Sequence, residues 1–289
     1  MFVSGFTIIR NAVNGGYPVC EAVLSILPLV DEMIVAVGKS EDDTLGLIRS
    51  IQSDKIKIVE TVWDDSLREG GRVLAVETNK ALKHISPFAD WCFYIQADEC
   101  VHEDDYENIR KGMKQWLNNQ SVQGLVFDYL HFYGSYDFIA DSRKWYRREV
   151  RIIRNNPQIK SYMDAQGFRI NGQKLPSKRI QAQIFHYGWV KHPKEQMAKQ
   201  IQARRLWHDD KFITEKVAVA AEFDYGNIDS IKRYTGTHPH VYKERIIKQN
   251  WVFDRDPAVK ALSFKNKLLM KVEALTGWRV GEFRNYTLV

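Results

Sequence analysis

The sequence predicts an α/β protein built on a mostly parallel, Rossmann-like central sheet with helices on both faces. Three observations lead to this class: short apolar runs, amphipathic stretches between them, and turns that carry glycine or proline. Strand and helix patterns alternate three times over about the first 95 residues. Because parallel strands need a crossover connection, usually a helix, this alternation favours a parallel sheet.

Each strand predicted in this half is a short apolar run typical of a strand buried on both faces. The four runs are 2–9, 32–37, 57–62 and 91–95. Helices are expected between them because apolar residues recur there every three or four positions. These helices follow Pro18, Thr44 and Gly71, and a proline is well placed at the start of a helix.

The rest of the chain predicts a less regular arrangement. Strands are expected at 124–132, 150–154 and 180–186, and helices at 194–208, 245–252 and 258–275. The stretch 136–148 is rich in aromatic and basic residues and is predicted to be a loop. We therefore expect one domain over 1–230 and a basic, helical C-terminal extension over 231–289.

Composition limits the possible settings. The 289 residues are 44% hydrophobic, an ordinary value for a globular chain, and no apolar run approaches the roughly 20 residues that span a bilayer. The first residues lack the charged and small-residue pattern of a secretory signal. Three irregularly spaced cysteines predict neither a disulfide framework nor a zinc site. These features favour a cytoplasmic protein.

The positive charge is concentrated near the C-terminus. The whole chain carries a net charge of +6, and residues 231–289 alone hold 12 Lys and Arg against 5 Asp and Glu. This segment also contains Trp251, Phe253, Phe264, Leu268 and Trp278. Two readings stay open: peripheral contact with an anionic membrane, or packing of the apolar residues on the domain with the charges in water. We expect no nucleic-acid partner.

A pair of acids follows the fourth predicted strand. The apolar run 91–95 leads into Gln96, Ala97, Asp98 and Glu99. Ligands of open α/β sheets bind outside the carboxyl ends of the strands, and carboxylates there can hold a divalent cation against a diphosphate. The alternative is an acidic turn that only caps the next helix.

Two loops are weaker candidates for phosphate binding. The loop 38–44 lacks the glycine-lysine pattern of a P-loop, and its Ser and Asp residues also suit helix capping. Gly70, Gly71 and Arg72 open the third helix, where backbone N–H groups and a guanidinium suit a diphosphate. Asn79 lies two turns further on, near the same face as Arg72.

Two further side chains are candidates for chemistry. His186 ends an apolar strand and is a possible metal ligand beside Asp98, although a lone histidine is more often a packed polar residue. Asp164 lies among apolar and small residues, which suits a general base, but an Asp before Gly also forms turns.

These residues together resemble glycosyltransferase family 2, whose fold is termed GT-A. The resemblance covers about residues 2–210 and rests on the 40–44 loop, the helix carrying Gly71 and Asn79, and the turn at 96–99. It implies a nucleotide-sugar donor and Mn²⁺ or Mg²⁺, with Asp98 as the metal-binding acid and His186 as the ligand that closes on metal and diphosphate. It implies Asp164 as the catalytic base. The donor-binding residues that it implies are Thr7, Arg10, Ser40, Asp42, Arg72, Asn79 and Gln96.

Two positions depart from the family pattern. Gly38 stands where the family commonly has an Asp that binds uracil, so the usual preference for UDP is weakened. Gln96 replaces the first acid of the metal motif, although its amide can still bond a ribose hydroxyl. Glu99 is expected to replace part of the missing charge.

We therefore expect a metal-dependent, inverting glycosyltransferase that moves a sugar to a saccharide or lipid-linked acceptor in cell-surface polysaccharide biosynthesis. The basic loop 136–148 is a candidate lid over acceptor or diphosphate. Two alternatives remain: a sugar nucleotidyltransferase, for which 10–16 is a poor glycine-rich loop, and a binding module without catalysis, which Gly38 and Gln96 favour.

Overall fold

The computed structural model describes residues 1–67, 69–207 and 221–289. Its first half alternates strands and helices in the expected order. The elements are β1 (Val3–Ile9), α1 (Val19–Ile26), β2 (Glu32–Gly38), α2 (Thr44–Arg49), β3 (Ile56–Thr61), α3 (Arg72–Leu82) and β4 (Trp91–Tyr94).

The second half contains more strands than the sequence patterns indicate. Its elements are β5 (Glu99–Val101), α4 (Tyr106–Trp116), β6 (Gly124–Tyr133), β7 (Ser135–Ala140), β8 (Arg148–Arg154), β9 (Ile159–Tyr162), β10 (Gly167–Ile170), β11 (Gln173–Trp189), α5 (Pro193–Arg205), β12 (Ile231–Arg233), α6 (Lys243–Ile247), α7 (Phe264–Thr276) and β13 (Tyr286–Leu288).

The strands form one mixed sheet whose main path runs β3-β2-β1-β4-β8-β6-β11-β10-β9. The first four strands of this path, β3, β2, β1 and β4, are parallel to one another. Strand β8 runs antiparallel to both β4 and β6, and β11 runs parallel to β6. The α/β class and the parallel N-terminal sheet are therefore confirmed, while the second half is mixed.

The parallel strands are covered on both faces. All seven residues of β1 and of β2 are buried. Val35 belongs to a core cluster with Val23 and Ile26 of α1, whereas its neighbour Ile34 belongs to a second cluster with Ala81 of α3. Because successive side chains of a strand point to opposite faces, α1 and α3 cover opposite faces of the sheet.

Several expectations for the second half are corrected. Residues 135–140 form β7 rather than a loop, and the helices expected at 245–252 and 258–275 shorten to α6 and α7. The helix expected to end at 208 has its last residue outside the described part of the chain. Strand β12 pairs with β7 and β13 with β11, so residues 231–289 contribute strands as well as helices. Three-residue strands carry too short a pattern to be recognised.

A buried arginine joins elements from distant parts of the chain. Arg151 of β8 has no exposed surface and donates two hydrogen bonds to the Glu99 carboxylate, at 2.8 and 2.7 Å. It also donates to Gln96 Oε1 at 3.3 Å and to the carbonyl of Gln166 at 2.9 Å. Its guanidinium thereby connects the turn after β4, strand β8 and the β9–β10 turn.

Replacement of Arg151 by Met is expected to lower the free energy of unfolding by about 3–5 kcal/mol, because it leaves the buried Glu99 carboxylate without a counter-charge. The control is Arg49→Met, since the Arg49–Glu60 pair is largely exposed and worth about 0.5 kcal/mol or less. Urea denaturation of both variants measures the difference, and equal losses would contradict a central role for Arg151.

Candidate functional site

A cavity of about 540 Å³ lies at the carboxyl ends of the four parallel strands. Residues that follow each of β1 to β4 reach it, together with the β9–β10 turn and the C-terminal part of α5. This edge of an open α/β sheet is where ligands bind. Among the residues predicted for the site, those that line the cavity are Arg10, Gln96, Asp98 and Asp164.

Asp98 is held in an ion pair that the sequence did not indicate. Its Oδ2 accepts a hydrogen bond from Nζ of Lys199 on α5 at 2.9 Å. Burial opposes ionisation of Asp98, but the charge of Lys199 and its hydrogen bond outweigh burial, so the pKa of the carboxyl lies below its ordinary value. The pKa of Lys199 is raised, because the attraction of Asp98 exceeds the effect of burial. Asp98 is thus a carboxylate with a fixed cationic neighbour.

His186 lies beside Asp98 in the sheet, with its Nε2 3.8 Å from Asp98 Oδ2. Its Nδ1 is 3.1 Å from Nδ1 of His131, whose Nε2 lies 2.6 Å from the carbonyl of Tyr146. A carbonyl only accepts, so His131 carries its proton on Nε2 and accepts at Nδ1. His186 therefore donates from Nδ1, and its Nε2 lone pair faces Asp98. Burial lowers the pKa of both histidines, which favours these neutral forms.

The Asp98–His186 pair fits part of a divalent-cation site. Gly188 leaves room in front of both groups, since a Cβ there would lie 2.7 Å from Asp98 Oδ2 and from His186 Nε2. Mg²⁺ is commonly held by one or two protein ligands together with water and substrate phosphates. Over the described ranges no cluster of three or more His, Cys, Asp or Glu side chains could hold a metal by itself. The two residues suit a cation that arrives with a diphosphate.

Asp164 projects from a strained turn between β9 and β10. Its neighbours Met163 and Ala165 have φ values of 53° and 61°, which non-glycine residues adopt at a cost. Gln96 Nε2 donates to the carbonyl of Ala165 at 3.4 Å, and Arg151 holds the carbonyl of Gln166. The turn that carries Asp164 is therefore tied to the turn that carries Asp98.

Gly71 packs closely against the turn that carries Asp164. Its φ is 70°, and a Cβ at this position would lie 3.1 Å from Cβ of Asp164 and 3.2 Å from the ring of Trp207. The glycine permits close approach of α3 to both cavity residues. Arg72, in contrast, is exposed and does not line the cavity, so its predicted contact with diphosphate has no support in its position.

Trp63 and Arg10 also line the cavity. Gly38 has no side chain because the indole of Trp63 occupies that space, and a Cβ would lie 2.3 Å from Trp63 Nε1. Trp63 Nε1 is buried without a hydrogen-bond partner in the described structure. Arg10 lies over the Trp63 ring at 5.8 Å and donates to Asp65 at 2.6 Å. The indole of Trp63 thus fills the space that a side chain at position 38 would take.

Four predicted binding residues lie outside the cavity lining, and three of them form hydrogen bonds with the backbone. Thr7 is fully buried in β1. Ser40 accepts a hydrogen bond from the backbone N–H of Asn11 at 3.0 Å, and Asp42 accepts one from that of Asn14 at 2.7 Å. Asn79 exchanges two hydrogen bonds with the backbone of Ser161, at 2.8 and 3.3 Å. The side chains of Thr7, Ser40, Asp42 and Asn79 do not line the cavity, and their role in donor binding stays a prediction.

Two further expectations are corrected by ion pairs. Glu99 is completely buried against Arg151 and also accepts a hydrogen bond from Tyr129 at 2.7 Å, so it does not replace the missing metal-binding acid. In the proposed lid, Arg143 and Arg147 bind Glu273 of α7 at 2.7 and 3.2 Å. Both guanidinium groups are thereby held to the C-terminal segment.

Lys199 is the main site residue that sequence reasoning missed. A signal was present in α5, which has few apolar residues and no continuous apolar stripe. Its buried residues are Gln196 and Lys199. A helix that buries polar side chains needs polar partners, so such a face marks a functional site more readily than a core.

Comparison with known proteins gave matches among solved structures alone. The chain matched no family model and no curated protein. S. aureus TarS 1–349 in complex with UDP is 16% identical, with 46% of this chain and 36% of that chain covered and a TM-score of 0.33. A second structure of TarS 1–349 is 12% identical, with 70% and 64% covered and a TM-score of 0.37.

The third match is glucosyl-3-phosphoglycerate synthase from Mycobacterium tuberculosis in complex with Mn²⁺, UDP and phosphoglyceric acid. It is 22% identical, with 44% of this chain and 43% of that chain covered and a TM-score of 0.31. The chain thus spans less than two thirds of each of these structures. They are GT-A glycosyltransferases, the class that the sequence resemblance names.

Proposed function

We propose that this protein is a GT-A glycosyltransferase that transfers a sugar from a nucleotide-sugar donor to an acceptor hydroxyl. The observation that carries the proposal is the Asp98 carboxylate, held ionised at the carboxyl end of β4 in a cavity that the ends of all four parallel strands line. A strongly ionised acid beside a neutral imidazole suits the binding of a metal–diphosphate. Mn²⁺ or Mg²⁺, when bound, supplies positive charge to the leaving diphosphate.

The nucleoside half of the donor is proposed to lie near β1 and β3. Trp63 lines the cavity there, and Arg10 lies over its ring. Aromatic faces stack on any base, so this arrangement does not by itself select uracil. Gln96 is proposed to lie near the ribose, although Arg151 and the Ala165 carbonyl already fix its amide.

Asp164 is proposed as the general base for the acceptor hydroxyl. It lines the same cavity as Asp98, and a distinct, strained turn presents it. The sugar's anomeric carbon gains positive character as the diphosphate leaves, and attack from the opposite face inverts its configuration. The acceptor is proposed to be a saccharide or a lipid-linked saccharide of cell-surface polysaccharide.

Thermal-shift screening against UDP-, GDP-, CMP- and dTDP-sugars, with and without Mn²⁺, tests the proposal. At least one donor is expected to raise the melting temperature of the wild type, more strongly with Mn²⁺, and to be turned over with a suitable acceptor. For Asp98→Asn, Mn²⁺ should no longer increase the rise in melting temperature that the donor causes. This variant is also expected to be less stable than the wild type, because it leaves Lys199 buried without its counter-charge. No shift with any donor would contradict the proposal.

Asp164→Asn is expected to lower kcat by about 100-fold or more while leaving calorimetric donor affinity near that of the wild type, because a general base acts in the transition state. Asp128→Asn is the matched control, since Asp128 binds Arg148 and Arg179 away from the cavity. Equal kcat values for the wild type and Asp164→Asn would remove the assignment of Asp164.

Peripheral contact of this cytoplasmic enzyme with an anionic membrane is proposed for α7. None of the described helices is long and apolar enough to cross a bilayer. Phe264, Leu268 and Leu275 are 84%, 54% and 87% exposed and lie within about 40° of one another around the helix. Lys267 and Lys271 lie beside this stripe.

The helix is anchored on its opposite side. Glu273 lies about half a turn from the stripe and binds Arg143, Arg147 and Arg279. Trp251 and Phe253 pack against core clusters of the domain. The exposed stripe of Phe264, Leu268 and Leu275 on α7 does not. An exposed apolar stripe flanked by lysines suits an anionic surface.

The wild type is expected to co-sediment with phosphatidylglycerol vesicles at low salt and to be released as salt rises. Combined replacement of Phe264, Leu268 and Leu275 by Ser should abolish binding without loss of folding. The control Phe88→Ser removes an equally exposed aromatic ring on another loop and should bind normally. Equal binding of the wild type to phosphatidylcholine vesicles, or none to either, would contradict membrane contact.

A further inference from the structure

Lys199 is placed as an internal cation. Its side chain is 9% exposed, and its Nζ donates to Asp98 Oδ2 at 2.9 Å and to the carbonyl of Gly188 at 2.8 Å. The same ammonium lies over the ring of Tyr17 at 5.0 Å. These three partners, from three separate segments, surround the ammonium and leave it at the wall of the cavity.

The ammonium and a divalent cation would share one ligand. Asp98 Oδ2 is the oxygen that Lys199 binds and also the oxygen that faces Nε2 of His186 at 3.8 Å. Two cations on one carboxylate oxygen repel each other strongly in a site shielded from water. A divalent cation on Asp98 and His186 therefore requires that the ammonium withdraw.

A second buried lysine lies in this region, and burial lowers the pKa of Lys191 to about 7, so that it is only partly charged near neutral pH. Lys191 is 5% exposed, donates to the carbonyl of Gly16 and lies over the same ring of Tyr17 at 5.6 Å. Once a divalent cation occupies Asp98, the released ammonium needs a new anionic partner. The flexible four-carbon stem of lysine allows such a change of partner without movement of the helix.

We propose that Lys199 holds Asp98 in the free protein and exchanges it for the diphosphate of the donor, so that divalent metal and diphosphate bind only together. The inference rests on the proposed function, because it names how that same site takes up its donor. Lys199 then contacts the leaving diphosphate directly. In the free protein it prevents metal from occupying Asp98 alone.

Titration calorimetry with MnCl₂, in the absence of nucleotide, tests the exchange. The wild type should bind Mn²⁺ weakly, and Lys199→Met should bind it at least about tenfold more tightly, because the competing charge is gone. Lys199→Gln repeats the test with a side chain that can still donate to the Gly188 carbonyl. Adding Asp98→Asn to either variant should abolish the gain, as a double-mutant cycle requires.

Lys191→Met, compared with the other variants at pH 6 where the Lys191 ammonium is mostly charged, is the matched control, since it removes a buried lysine of the same region that does not bind Asp98. Its affinity for Mn²⁺ should change by less than about threefold. Melting curves establish that each variant is folded. With UDP or GDP present, the wild type should bind Mn²⁺ about as tightly as Lys199→Met does alone.

The outcomes separate the inference from the function on which it rests. If both Lys199 variants bind Mn²⁺ no more tightly than the wild type, while nucleotide still promotes Mn²⁺ binding by the wild type, the exchange is overturned and the metal-dependent transferase stands. If neither variant nor nucleotide yields Mn²⁺ binding, the exchange and the proposed metal role are both overturned. An equal gain in Lys191→Met would show a general charge effect and would also overturn the exchange.

Discussion

The ion pair between Arg151 and Glu99 is the interaction on which the site depends. Both side chains are completely buried, and the guanidinium lies between the rings of Tyr94 and Tyr129, each at 5.4 Å. A buried charge pair is costly unless its remaining hydrogen-bonding groups are satisfied. Arg151 satisfies its own through Gln96 and the Gln166 carbonyl. Gln96 belongs to the turn that carries Asp98, and Gln166 follows the turn that carries Asp164. The hydrogen bonds that satisfy Arg151 therefore also hold these two turns in place.

Three glycines complete this arrangement by bringing parts of the backbone close to side chains. Gly188 opens the space in front of Asp98 and His186, Gly71 lets α3 approach Asp164, and Gly38 makes room for Trp63. In each case a methyl group would lie within 3.1 Å of a cavity residue. The cavity is therefore shaped as much by absent side chains as by charged ones.

The sequence allowed prediction of those parts of the fold and site that depend on local pattern. The parallel half follows from apolar runs and helical periodicity, and Asp98 could be identified because it directly follows such a run. The Asp98–Lys199 contact joins residues 101 positions apart, and no local pattern carries that information. The side chains of Ser40, Asp42 and Asn79 can accept hydrogen bonds from a ligand or from the backbone. In the structure they accept them from backbone N–H groups. Spacing alone does not separate these two uses.

Strand β11 fixes the histidine pair through its register. His186 is aligned with His131 on β6 on one side and with Glu99 on β5 on the other. The residues on either side of His186 are Phe185 and Tyr187, and both rings stack on Phe132 of β6, at 5.7 and 4.7 Å.

Because side chains alternate between faces, a slip of β11 by one residue would present an aromatic ring to Asp98 in place of the imidazole. The rings stacked on Phe132 oppose that slip. The aromatic packing of the second half therefore fixes the register that places His186 beside Asp98. A substitution at position 186 therefore keeps its side chain facing Asp98, whereas a ligand at position 185 or 187 would reach Asp98 only after a change in strand pairing.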